Sequence, residues 1–270
     1  MPPNKKVTVS VVIPVFNGRE FLEKNLPAVL ALEADEVIVV DDASIDGSSD
    51  VIKKFTEIKL IKNSENLRFP KSVNIGFAKA IGEIVVLLNQ DVTPDQNLLK
   101  FALPHFVDSQ VFAVTFNEQE RSWAQAKIRK GFLEFTNGDK DNRVHESFWA
   151  SGGSAAFRKS TWDKLGGFDP IFTPGYFEDL DLGWRAHNLG YKILWDPKCK
   201  VDHQTETAFT KAFGATDLRR IKERNYLLAH WKNLRGLQLL QHVFYLFIRI
   251  LTSPGYIVPV TMAICRKLVS

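Results

Sequence analysis

Cysteine is scarce in this 270-residue chain: Cys199 and Cys265 stand far apart and form no Cys-x-x-Cys pair. A disulfide framework and a zinc knuckle are both excluded, and a reducing compartment fits. There is no Gly-x-Gly-x-x-Gly turn and no Gly-x-x-x-x-Gly-Lys-Ser/Thr loop, so a Gly-rich backbone cradle for phosphates is not the device in use. No apolar run reaches the roughly 20 residues of a spanning helix: Gln238, Gln241, His242, Arg249, Pro254 and Pro259 interrupt the most apolar stretch, 237–265. The opening Met-Pro-Pro-Asn-Lys-Lys leads into a short strand-like run without a long apolar segment, so no secretory leader is expected and the expected location is cytosolic. Internal repeats and low-complexity tracts are missing too. With 45% hydrophobic and 24% charged residues, the composition is that of an ordinary globular protein.

The net charge of +4 conceals an asymmetry. From Lys211 onward ten Lys or Arg stand against Asp217 and Glu223, an excess of +8, so the first 210 residues carry −4. A basic tail beside apolar helices points to an anionic membrane face before nucleic acid, which is not an expected partner.

What is present alternates. Val7 to Pro14, Val37 to Val40, Ile58 to Ile61, Ile84 to Leu88 and Val111 to Phe116 read as buried strands. Helical patterns over Glu20 to Leu32, up to about Phe55, about Lys71 to Ala80, and Asp95 to Val107 separate them. Strand and helix in alternation predict an α/β fold with a mostly parallel sheet and right-handed crossovers. Residues 117–147 show no convincing period and are expected to be a mobile loop over a site. A short helix near Ser160 to Leu165, a helix from about Glu178, closing strands at Tyr191 to Trp195 and Lys200 to His203, and helices from about Thr216 complete the reading.

Acids recur at the ends of these elements: Asp41 and Asp42 after one strand, Asp91 after another, Glu178, Asp179 and Asp181 at the start of a helix. The carboxyl edge of an open α/β sheet is where ligands bind. Asp91 is therefore the candidate ligand of a hard divalent cation, and Asp42 the candidate acceptor for a base or ribose. Each acid also has a plainer reading, as a turn residue or a helix-start carboxylate favoured by the dipole.

The runs Val11-Val12-Ile13-Pro14-Val15-Phe16-Asn17-Gly18, Val39-Val40-Asp41-Asp42-Ala43-Ser44, Leu87-Leu88-Asn89-Gln90-Asp91, Gly166-Gly167-Phe168-Asp169 and Glu178-Asp179-Leu180-Asp181 occur in this order. Together they resemble the family 2 glycosyltransferases of the GT-A fold, a Rossmann-like sheet flanked by helices, over roughly residues 7 to 205. The subgroup it looks most like is that of bacterial rhamnosyltransferase-like cell-surface polysaccharide transferases, with Asn89 replacing the first acid of the family's Asp-x-Asp.

That resemblance implies roles. Asp42 would contact the nucleotide base, with Pro14, Phe16 and Asn17 forming the pocket beside it. Asn74 would lie on the nucleotide side, Asn89 would meet ribose or a metal-bound water, and Gly152 and Gly153 would let backbone approach the donor sugar. Asp91 and His203 would hold Mg²⁺ or Mn²⁺, Asp179 would be the catalytic base, and Glu178 would orient the acceptor or the base. The implied activity is a metal-dependent, inverting transfer of a sugar from a UDP- or dTDP-linked donor to a cell-surface glycan or lipid-linked precursor. It would be non-processive, since the Gln-x-x-Arg-Trp motif of processive members is missing.

The implied domains are a catalytic unit over 1–210, its nucleotide half ending near 115, and a helical extension over 211–270. Two alternatives stay open for the extension: helices on the cytoplasmic leaflet of the plasma membrane, or a subdomain packed on the core or in a homo-oligomer. Rival activities are a sugar-phosphate nucleotidyltransferase, which would need a basic Gly-rich first loop, and an inactive nucleotide-sugar or glycan binding module.

Overall fold

A computed structural model describes residues 7–119, 122–204 and 208–269. The chain opens with β1 (Val9–Val15), α1 (Arg19–Leu30), β2 (Glu36–Asp41), α2 (Ser48–Ile52), β3 (Ile58–Lys62), α3 (Phe69–Lys79) and β4 (Ile84–Leu88). There follow β5 (Val92–Pro94), α4 (Leu98–Ala102), β6 (Val111–Asn117), β7 (Ala124–Arg129), β8 (Phe132–Asn137), β9 (His145–Glu146) and β10 (Ser154–Arg158). Then come α5 (Lys159–Leu165), α6 (Glu178–Asn188), β11 (Lys192–His203), α7 (Ala208–Asn233), α8 (Gly236–Thr252) and α9 (Ile257–Val269).

The main sheet runs β3-β2-β1-β4-β10-β6-β11-β5, with β9 also on β11. Strands β3, β2, β1 and β4 are parallel, while β10 runs antiparallel between β4 and β6. Alternation along each parallel strand feeds two cores. Val11, Ile13, Val37, Val39 and Val86 face α1, α2 and α4, whereas Val12, Ile38, Val40, Val85 and Leu87 face α3, α5 and α6. Apolar residues on both faces explain the unbroken runs in the sequence. Leu87→Ala would leave a cavity costing about 2–5 kcal/mol.

The chain leaves β1 for β2 on one side and later returns to β4 on the other. Where strand order reverses, the carboxyl ends of β1 and β4 diverge and open a crevice.

Three sequence expectations change. Residues 117–147 are not a structureless loop: β7 and β8 pair as an antiparallel hairpin, turning at Lys130 and Gly131, both with positive φ (52° and 72°) as a tight hairpin turn requires. Strand β10, Ser-Ala-Ala-Phe-Arg, is buried at the centre of the sheet, its small residues carrying little strand signal. The two closing strands are one, β11, whose register shifts between Trp195 and Lys200, across Asp196-Pro197, where proline cannot donate to the ladder.

A third apolar cluster joins the hairpin (Leu133), the 170–177 segment (Ile171, Phe172), α6 (Leu180, Trp184) and the helices α7 to α9 (Leu227, Leu246, Val260). Buried polar groups lock it. Asn225 of α7 donates through Nδ2 to the carbonyls of Phe172, Gly175 and Tyr176 at 2.8–2.9 Å. His230 accepts from Leu133 N at 2.7 Å and faces Tyr226 O through its other nitrogen at 2.6 Å, which fixes a neutral ring; burial and the neighbouring His242 push its pKa down to about 3. Helix α7 breaks at Gly214 (φ 70°). The outer side of α8 exposes Leu237, Leu240, Phe244, Phe247 and Leu251. No helix among the described residues is long and apolar enough to cross a membrane.

Candidate active site

The crevice is a cavity of about 600 Å³ at the carboxyl edge of the sheet. Asp42, Asp91 and Asp179, brought by β2, the β4–β5 connection and α6, all line it. So do Pro14, Phe16, Asn17, Asn89, Gly152, Gly153, Glu178 and His203.

On the nucleotide side, Phe16 N donates to Gln90 Oε1 at 3.0 Å, holding the Pro14–Phe16 turn open. Asn17 has φ 49°; its N–H donates to Ser44 Oγ at 3.0 Å and its Oδ1 accepts from Ile45 N at 2.9 Å, tying the β1 and β2 edge loops together. Asp42 accepts from Asn63 Nδ2, Leu67 N and Arg68 N, each at 2.8 Å. An ionised carboxylate has about four acceptor positions, so one remains for a ligand. Its neighbour Asp41 is fully buried and serves the 44–49 turn.

Asn74 departs from its expected role. Its Nδ2 donates to Phe168 O at 2.7 Å and its Oδ1 accepts from Phe168 N at 3.0 Å. The side chain pins the Gly-Gly-Phe turn to α3 and is not among the residues lining the cavity. Asp181, likewise, turns away: it is buried and accepts from Arg185 (2.9 Å), Lys232 (3.0 Å) and Asn233 (2.8 Å), anchoring α7 to α6.

At the centre, pairing of Ser154 with Leu88 and of His203 with Val92 sets Gly153 and His203 beside the Asn89–Asp91 connection. Asn89 N donates to Gly153 O at 2.8 Å. A Cβ on Gly153 would stand 2.4 Å from Asn89 Nδ2, so a larger residue here would displace the Asn89 side chain. His203 Nε2 lies 3.3 Å from Asp91 Oδ1, and Nδ1 lies 3.2 Å from Glu118 Oε2 but out of line for a hydrogen bond. Burial acts to lower the imidazole pKa, yet the carboxylates on either side outweigh it and raise it to about 9.

No set of three or more His, Cys, Asp or Glu among the described residues forms a complete metal cage. Asp91, with His203 Nε2 3.3 Å from its Oδ1, would hold Mg²⁺ or Mn²⁺ once the imidazole has given up the proton that the flanking carboxylates retain. Such a cation is commonly bound through one or two carboxylates plus phosphate oxygens and water.

At the far wall, Asp179 Oδ1 accepts from Leu180 N at 2.8 Å and Oδ2 from Gly152 N at 3.2 Å. Glu178 is buried, and its Oε2 has no hydrogen-bond partner. Burial first, then the charges of Asp179 and Asp181, hold its carboxyl well above the usual range. It therefore holds its proton more tightly than a free glutamic acid does, beside Asp179. Two features near the site went unread in the sequence: Gln90, which lines the cavity, and Glu118, which approaches His203 and accepts from Ser151 and Ser154 hydroxyls (3.0 and 2.5 Å). Glu118 bears a mark like that of Asp91, an acid just past a buried strand.

The family model for glycosyl transferase family 2 matches residues 10–166. The chain belongs to that family. Residues 10–166 are thus a glycosyl transferase family 2 domain. A pre-mycofactocin glycosyltransferase of Mycobacterium tuberculosis is 28% identical over 207 residues, covering 74% of this chain and 43% of that one. A poly-beta-1,6-N-acetyl-D-glucosamine synthase of Staphylococcus aureus is 26% identical over 200 residues, covering 70% and 48%. The chain thus spans less than half the length of these curated relatives. The solved mannosyltransferase PcManGT of Pyrobaculum calidifontis, in complex with GDP-Man and Mn²⁺, superposes with a TM-score of 0.65 at 19% identity, covering 97% of this chain and 76% of that one. This likeness establishes the GT-A fold.

Proposed function

We propose that this family 2 glycosyltransferase moves one sugar from a nucleoside diphosphate donor to a hydroxyl of a cell-surface glycan or lipid-linked precursor, with inversion at the anomeric carbon. The observation that carries the reading is the convergence of Asp42, Asp91 and Asp179, from separate elements, on one cavity. Asp42 and the Pro14–Asn17 turn bind the nucleoside. Asp91 and His203 would hold a divalent cation, which would supply charge neutralisation at the leaving diphosphate. Asn89 and the Gly152–Gly153 backbone border the donor sugar. Asp179, held by two main-chain N–H groups, accepts the proton of the attacking hydroxyl; Glu178 positions Asp179 and the acceptor. One displacement needs one base, and no covalent nucleophile is invoked.

Peripheral attachment to the cytoplasmic leaflet is part of the same reading. The exposed apolar side of α8 supports it, as does the lack of any acid from Gly236 to the last residue while Arg249, Arg266 and Lys267 are present.

The experiment is thermal unfolding with UDP, dTDP and GDP, each with and without Mn²⁺ and Mg²⁺. A ligand at 100 times its Kd stabilises by about 2.7 kcal/mol, so at least one nucleotide should raise the midpoint, and more so with metal. If none does so in either metal, the reading fails.

A further inference from the structure

Two aromatic residues in succession, Tyr176 and Phe177, hold positive φ (72° and 73°) immediately before Glu178 and Asp179. The left-handed region crowds any Cβ, and a bulky residue there is a genuine outlier. Such a pair persists only where the surroundings over-determine it. Here the surroundings are helix α7. Asn225, fully buried, donates through Nδ2 to the carbonyls of Gly175 and Tyr176 at 2.9 Å each, and to that of Phe172. Its Oδ1 accepts from Arg224 Nε at 2.9 Å, which fixes the orientation of the amide, and the same guanidinium donates to Thr173 O at 2.6 Å. Lys222 Nζ stands 4.2 Å from the centre of the Tyr176 ring. Tyr226 meets the Phe177 ring edge-on, centroids 5.7 Å apart and planes at 65°. Farther along α7, Asn233 donates to Asp181 Oδ1 at 2.8 Å. Residues 222, 225, 226 and 233 recur at helical spacing and so share one face of α7. That face grips the chain on both sides of Glu178 and Asp179.

We propose that α7 belongs to the catalytic apparatus: Asn225 is a positioning residue that holds the Tyr176–Phe177 turn in its left-handed form and so keeps Asp179 at the cavity. The inference rests on the sugar-transfer reading above, with Asp179 as its base. Tyr176, Phe177, Glu178 and Asp179 line the cavity one after another. Neighbours along a strand face opposite ways, and along a helix each is turned by about 100°, so four in a row reach one cavity through the sharp turn that the two positive φ angles make. Return of either residue to an ordinary negative φ would swing the start of α6, and with it the Asp179 carboxylate, away from Gly152 N. The base would then lose its reach to the attacking hydroxyl in a chain that is still folded, and a general base acts only within hydrogen-bond reach. Asp42 and Asp91 come from other elements, so the donor would still bind. A side chain that only stabilised the fold would lower the unfolding midpoint and leave the turnover of folded enzyme alone.

The test is a double-mutant cycle on the full chain. Wild type, Asn225→Ala, Tyr176→Gly and the double variant are compared for Mn²⁺-dependent release of nucleoside diphosphate from UDP-glucose, UDP-N-acetylglucosamine, dTDP-rhamnose and GDP-mannose, with water as the acceptor, at a temperature where circular dichroism shows the variants folded. On the donor cleaved fastest, Asn225→Ala should lower kcat about tenfold while the donor KM stays within about threefold. Glycine enters the left-handed region freely, so in the Tyr176→Gly background the same change should lower kcat less than about threefold, the signature of coupled positions. A folded Asn225→Ala with the kcat of wild type, or an equal loss in both backgrounds, would overturn the positioning role. Should Asn225→Ala alone fail to fold, the glycine background decides: a folded double variant with kcat within about threefold of Tyr176→Gly supports the proposal, and a double variant equally unfolded overturns it. Failure of every nucleoside diphosphate to shift wild-type unfolding, or of every donor to release its nucleotide, would instead defeat the sugar-transfer reading itself.

Discussion

The two walls of the cavity are made in different ways. The donor wall rises from β1, β2 and β4, where main-chain pairing between parallel strands sets every register. The facing wall includes residues 174–177, held by Asn225 of α7; the hairpin, held by His230, lines the smaller pocket beside it. Strand ladders supply their support through main-chain bonds; here buried side chains of the C-terminal helices and the third apolar cluster supply it.

The comparison yields graded outcomes. The largest belongs to chemistry on the donor wall: Asp91→Asn should lower turnover about 100-fold or more through lost metal support, and should abolish the Mn²⁺-dependent part of nucleotide stabilisation. Retention of that part in calorimetry would remove Asp91 from the metal site. Next comes Asn225→Ala, which strips one buried amide from three carbonyls and should cost about 1–3 kcal/mol in urea unfolding. Unchanged stability would show that the facing wall has support beyond that side chain.

A smaller effect concerns Glu178. Its folded-state pKa is raised, so the protonated form favours folding. That contribution is complete below 4.5, the value of a free Glu, and is lost as pH rises through the folded value. Glu178→Gln should unfold at a higher temperature than wild type at pH 7, and the two should converge below pH 4.5; parallel curves would contradict a buried, proton-binding Glu178. Smallest in stability is the double change Phe244→Glu with Phe247→Glu on exposed positions. It should weaken sedimentation with phosphatidylglycerol vesicles while leaving the unfolding midpoint unmoved, and undiminished sedimentation would rule out α8 as the lipid-facing element.

The same contrast explains what the sequence disclosed. Apolar runs such as Ile84 to Leu88 announce a strand covered on both faces, and the acid after each run falls at the sheet edge by construction; the donor wall follows from that. Strand β10 stayed hidden because Ser, Ala and Ala fill a crowded centre without the bulk that marks strands. The hairpin was concealed differently. Ala124, Ala126 and Ile128 do alternate with Gln125, Lys127 and Arg129, but small residues give alternation little contrast. Asn74 misled because an amide that recognises a ligand and one that pins a turn look alike until their partners are known.

In the proposed reaction Asp179 removes the proton from an acceptor bound beside a donor that Asp42 and Asp91 hold. Asp179→Asn, nearly isosteric, should reduce kcat for transfer by about 10²–10⁴-fold, as loss of a general base does, while the donor Kd with Mn²⁺, measured on the same sample, changes less than about threefold. A kcat within threefold of wild type, or a donor Kd that worsens in step with kcat, would contradict it.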